Sequence, residues 1–155
     1  MDQWPDFDCY TLAAGLACAD VLNRVYNVPA RINPVNDLYV DNRKLGGILV
    51  ESLVRENTLQ TVITGIGLNL RAVDRPLTGE QAHPGVVPVS LEECLIAPAW
   101  AVLSADATMD ELVSELTVAV HARYTQLIRD GWPAIETLYN RFAVNHSVDA
   151  PPTAV

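Results

Sequence analysis

From Cys9 toward Tyr26 the chain is at first apolar or small at almost every position ("CYTLAAGLACADVL"), with no polar stripe. That pattern predicts a helix buried on several sides rather than a surface one. Arg24 and Tyr26 give it an amphipathic end, and Asn27 with Pro29 stops it. The period then shortens. "ARIN" and "LYV" read as short strands flanking a kink at residues 34–37, and "VDNRKL" reads as a hairpin whose Asp41-Asn42 pair tolerates positive φ. The runs "LGGILVESLV" (45–54) and "LQTVITGIGLNL" (59–70), split by "RENT", predict two buried neighbouring strands. Residues 71–90 hold Pro76, Gly79, Pro84, Gly85 and Pro88 and form the longest irregular stretch.

The last third returns to helical spacing. Thr108 as N-cap with Glu111 three residues on makes a capping box. Met109, Leu112, Val113, Leu116, Val120, Tyr124 and Leu127 then carry one apolar face to about Ile128, and Asp130-Gly131 ends the helix. Trp132, Ile135, Leu138, Tyr139 and Phe142 mark a second helix with Pro133 in its first turn. Residues 9–145 form one domain, and residues 146–155 are a tail with little reason to be ordered. Helix, strands, then helices is the order of an α+β domain, with helices covering a mixed or antiparallel sheet. Only four or five strands are legible, two of them very short, so the sheet looks short of partners. An open edge of that kind favours dimerisation.

Composition narrows the classes. The 155 residues suit one compact domain. Nineteen acidic against ten basic side chains give a formal charge of −9, and the arginines are scattered singly, which argues against a nucleic-acid partner. Cys9, Cys18 and Cys94 are odd in number and share no metal-ligand spacing; free thiols suit a reducing cytosol. The most apolar run, residues 10–19, falls short of the roughly 20 residues a membrane span needs. A soluble, cytoplasmic protein with no membrane partner is expected. His83, His121 and His146 share no ligand spacing, and no nucleophile elbow surrounds Ser52, Ser90 or Ser104. Glu92-Glu93 read as a solvated pair, and Cys94 as a small core residue.

The candidate chemistry centres on Lys44, the only lysine in the chain. Gly46 and Gly47 follow it on the return strand of the hairpin, and Gly65 and Gly67 repeat the device on the next strand, with Asn69 continuing that side of the pleat. Two glycine-relieved strands side by side make a floor for a flat ligand. Lys44 would set a point charge at its edge, suited to a phosphate or an acyl–phosphate anhydride. Asn36 and Asn69 could each present an amide, donor and acceptor together. The plainer reading is that the glycines are bulges or packing accommodations and Lys44 is a solvated charge.

"NDLYVDNRKLGGILVES" followed by "ITGIGLNL" resembles the catalytic domain of the biotin–protein ligases, within the wider biotin/lipoate ligase family. That family's pattern is K-W-P-N-D, a hairpin, K-[LV]-[AG]-G-I-L-x-E, then G-[IA]-G-[IL]-N, and residues 9–145 resemble the second half of its domain. The resemblance implies ATP- and Mg²⁺-dependent activation of biotin to biotinoyl-AMP, then transfer to a lysine of a biotin carboxyl carrier protein domain. It implies Lys44 as the catalytic charge, Asn36 and Asn69 on the adenine side, and Gly46, Gly47, Gly65, Ile66 and Gly67 along the floor. Asp37 would hold the loop or help with the metal rather than act as a base.

Two departures accompany the likeness. Asn33-Pro34-Val35 stand where the family has Lys-Trp-Pro, so a cation near the phosphates is replaced. The family's first half, with an arginine-rich loop that closes over the adenylate, has no counterpart in these residues. Three readings follow: a piece of an active ligase, one subunit of a split ligase whose other half is a partner chain, or a degenerate, non-catalytic binding module. Lipoate in place of biotin is a further alternative.

Overall fold

The structure, a computed structural model, describes residues 7–56, 58–72, 85–95 and 106–144. Pro76, Gly79, His83, Pro84, Ser104, His146 and the expected tail lie outside the described residues. Four strands, β1 (Arg31–Asn33), β2 (Asp37–Val40), β3 (Arg43–Arg55) and β4 (Thr58–Leu68), pair antiparallel in the order β1-β2-β3-β4. The helices are α1 (Phe7–Tyr26), α2 (Leu91–Cys94), α3 (Asp106–Asp130) and α4 (Pro133–Phe142). The fold is α+β with an antiparallel sheet.

α1 lies between the sheet and the other long helices, touching β1, β2, β3, α3 and α4. Its run of small residues explains how. Ala13, Ala14, Leu16, Ala17, Cys18, Ala19, Val21 and Leu22 are all buried. A Cβ added at Gly15 would lie 3.6 Å from Ile32 and 3.7 Å from Ile48, so glycine lets the helix sit close on β1 and β3. Leu112, Leu116, Val120 and Leu127 of α3 and Ile135 and Tyr139 of α4 close the other side. Each fully buried leucine or isoleucine contributes about 1.5–3 kcal/mol over an exposed one.

α4 also protects an edge. Ala143 bridges Ile32, and the Val144 N–H donates to the Ile32 carbonyl at 2.8 Å. β4 is the opposite edge of the sheet.

Several expectations change here. β4 is not buried: one of its faces is half-buried and the other exposed, because the described helices cover only one side of the sheet. Leu49, Leu53 and Ile63 stand on the uncovered side, each at least 60 % exposed. Val113 and Ile128, expected on the core face of α3, are exposed, since that face narrows to a stripe through Leu112, Leu116, Val120 and Leu127. α3 begins at Asp106, so Thr108 sits in its first turn rather than at the N-cap. The hairpin expectation holds: Asp41 and Asn42 have φ of 48° and 60°.

Candidate functional site

Lys44 owes its position to an irregularity in β3. The β2–β3 register pairs Leu38 with Gly46 but Tyr39 with Lys44, which leaves Leu45 as an extra residue, a β-bulge. In a regular strand residues 44 and 47 would face opposite sides. With the bulge, Leu45 and Gly46 both turn inward and are buried, while Lys44 and Gly47 share the uncovered face. Asp37, paired with Gly47 across the ladder, lies on that face too.

The result is a compact charge pair. Lys44 Nζ is 2.7 Å from Asp37 Oδ1, with the two side chains 30 % and 23 % exposed. A Cβ at Gly47 would come 3.3 Å from Asp37 Oδ1 and 4.0 Å from Lys44 Cε, so glycine here leaves room for the pair. Beside it a cleft of about 810 Å³ opens over the sheet, lined by Asn36, Asp37, Lys44, Gly46, Gly47, Ile48, Leu49, Gly65, Ile66, Gly67, Leu68, Asn69, Val86 and Pro88. That volume suits a small-molecule ligand. Of the lining residues Lys44 is the one cation and Asp37 the one carboxylate.

All nine residues singled out by sequence line this cleft, but they do not act alike. Gly47, Gly65 and Gly67 form the bare floor. Cβ atoms at Gly65 and Gly67 would meet nothing closer than 3.7 Å and 3.8 Å respectively. Gly46 is buried against β4 instead, where its Cβ would run into the carbonyl oxygen of Gly67. Ile66 alternates with Gly65 and Gly67, so its half-buried side chain packs on the core while its backbone borders the cleft. Asn36 is exposed at the rim, and its carbonyl accepts from the Ile48 N–H at 2.8 Å.

Asn69 has a busier role than a free amide. Its Nδ2 donates to the carbonyls of Lys44 and Val89, both at 3.1 Å. Two carbonyl partners require the NH₂ group there, so the amide nitrogen is committed to the backbone.

Sequence reasoning missed the segment that walls this end. Residues 87–89 run parallel to the start of β3: the Lys44 N–H donates to the Val87 carbonyl at 2.8 Å, and the Val89 N–H to the Lys44 carbonyl at 2.9 Å. Arg43 grips the same segment, with Nε and a terminal nitrogen on the Pro88 carbonyl at 3.0 and 2.7 Å and an ion pair to Glu93 at 2.6 Å. Glu93 in turn completes a capping box with Ser90 at the start of α2, and the Arg43 hydrogen bond holds its carboxyl below the usual range. Glu92 accepts from the Ala72 N–H at 2.9 Å. The expected solvated pair is thus two anchored carboxylates. The signal available in sequence was the Ser90-Glu93 spacing. Cys94 is half-buried, as a small packing residue would be.

Comparisons with known proteins point one way. Residues 5–69 match the model of the Biotin/lipoate A/B protein ligase family. The bifunctional ligase/repressor BirA of Escherichia coli (strain K12) is 35% identical over 60 residues, which are 39% of this chain and 19% of that protein. BirA of Salmonella typhimurium matches to the same extent. Among solved structures, the apo biotin protein ligase from Aquifex aeolicus superposes with a TM-score of 0.64 at 17% identity, over 88% of this chain and 54% of that one. The same enzyme in complex with biotin and ATP gives 0.64 at 16% identity, over 90% and 52%. The chain therefore spans about half the length of these structures. In sequence over residues 5–69 the chain resembles the biotin/lipoate protein ligase family, and in fold over most of its length it resembles about half of a biotin protein ligase.

Proposed function

We propose that this chain takes part in biotin–protein ligation: ATP-dependent formation of biotinoyl-AMP and transfer of the acyl group to a lysine of a carboxyl carrier protein domain. The observation that carries the reading is the Lys44–Asp37 pair at the edge of a glycine floor, within the residues 5–69 that match the family model. Biotin and ATP are the ligands of the superposed Aquifex aeolicus complex.

The chemistry follows from the geometry. Biotin would lie flat on Gly47, Gly65 and Gly67 with its carboxylate at Lys44. When that carboxylate attacks the α-phosphate and displaces pyrophosphate, its negative charge passes toward the phosphoryl oxygens and the leaving group. A positioned ammonium stabilises the two anionic groups as they are forced together more than it stabilises them apart. Asp37 orients the ammonium by accepting one of its three hydrogens, leaving two for the ligand. Mg²⁺ would enter with the ATP phosphates, as it usually does, with Asp37 the nearest protein carboxylate on the cleft. Asn36 and Asn69 line the cleft, and the adenine would rest against them. Among the described residues the cleft is open, so an adenylate formed here keeps its reactive bond only if further residues shield it from water.

ATP–pyrophosphate exchange tests the reading. Biotin-dependent exchange by the chain, alone or with a second polypeptide carrying the remainder of such a domain, is expected to fall at least about 100-fold in Lys44→Ala. Exchange unchanged by that substitution would remove Lys44 from the mechanism. Exchange driven by lipoate and not biotin would reassign the substrate. One competing reading, a non-catalytic module, predicts no exchange under either condition.

A further inference from the structure

Asn69 is bonded through both of its backbone groups and through its carboxamide nitrogen. Its N–H donates to the Leu45 carbonyl at 2.8 Å, and its carbonyl accepts from the Leu91 N–H at 2.8 Å. Its Nδ2 joins the carbonyls of Lys44 and Val89. These contacts surround the bulge. The β3–β4 ladder ends at Gly46 opposite Leu68, so β4 does not hold the backbone of Lys44. That backbone is held instead by residues 87–89 on one side and by the Asn69 carboxamide, which ties the two together.

We propose that Asn69 is a positioning residue for Lys44: its carboxamide locks the Leu45 bulge and thereby keeps the ammonium on the cleft face beside Asp37. A bulge is a local departure from regular pairing, and the strand can recover its regular period if the bonds that hold the departure are lost. Without those bonds the Lys44 backbone is no longer fixed, and its ammonium leaves Asp37 for solvent. Asp37 fixes the tip of the lysine; Asn69 fixes its root. This deepens the ligase reading, which relies on Lys44, but the geometry does not depend on it.

Because Lys44 is the only lysine, acylation by acetic anhydride followed by peptide mass analysis reports on it alone, with the α-amino group as an internal control. An amine held against a carboxylate is shielded from the reagent, so its release shows as faster labelling. Asp37→Asn sets the rate for a Lys44 without its partner. Asn69→Ala is expected to label about fivefold faster than the parent, the factor corresponding to one net hydrogen bond, and to approach the Asp37→Asn rate. Asn69→Ser, with a single donor, should fall between.

Unchanged Lys44 labelling in folded Asn69 variants overturns the proposal, whatever their melting temperature. So does failure of both variants to fold at 10 °C, which would make Asn69 a determinant of the whole fold rather than a local lock. Faster labelling in a chain with no pyrophosphate exchange would keep the positioning role and lose only the ligase reading.

Discussion

The glycines of the cleft divide by what a methyl group would meet. At Gly46 it would strike the Gly67 carbonyl, a backbone atom that cannot step aside, whereas at Gly65 and Gly67 the nearest atoms are at ordinary contact distance. Gly46→Ala is therefore expected to lower the melting temperature sharply. Gly65→Ala and Gly67→Ala should leave it unchanged or slightly raised, since alanine costs less unfolded-state entropy. Both should still weaken ligand binding, by calorimetry, because their methyls project into the floor. The glycine pairs were legible in sequence because strand interiors seldom hold them. Their division was not, for it depends on the bulge at Leu45, and nothing in the apolar pattern marks that residue as extra. Cys18 gives a second test at this scale. Burial pushes its thiol up to about 12 from an ordinary 9.0. Below pH 9 the thiol is protonated folded or unfolded; between 9 and about 12 only the unfolded chain releases the proton, so stability falls as pH rises through that window. Thermal melts should show that decline in the parent and a shallower one in Cys18→Ala.

Among the elements, helices were the more legible. Small residues along α1 announced burial on several sides, and Gly131, at φ 76°, ends α3 where the sequence placed its stop. Strand positions were found but their burial was misjudged, because an apolar run of ten residues looks alike whether one face or two are covered. The same ambiguity put Val113 in the core. Leu112→Ala is expected to cost about 2–5 kcal/mol and the neighbouring Val113→Ser less than about 0.5, read from urea midpoints. Similar costs for the two would mean the α3 face is wider than described. Residues 85–95 show what periodicity cannot reach: their hold on Lys44 runs through backbone bonds and a single arginine, Arg43, that no local pattern links to them.

Over the whole molecule, the sheet has helices on one face and, among the described residues, nothing on the other. Leu49, Leu53 and Ile63 lie there beside the outermost strand. The expectation of a sheet short of partners fits this arrangement. The isolated chain is expected to self-associate in sedimentation experiments, despite its charge of −9, and the double variant Leu53→Lys, Ile63→Lys to do so less. Concentration-independent sedimentation of the parent would show that the exposed face is tolerated in water. No described helix is long and apolar enough to cross a membrane.

One residue, Leu45, acts in β3 as a dislocation acts in a crystal, letting two regular stretches meet out of phase. Beyond it, odd-numbered side chains point outward; before it, the even-numbered Lys44 does. The strand is thus read in two frames, one assigned to charge and the other to packing. Substitutions that retune the stretch 47–55 leave the lysine's frame untouched, whereas a deletion at position 45 would merge the frames into one regular strand with Lys44 still facing the cleft, at the loss of a fully buried leucine.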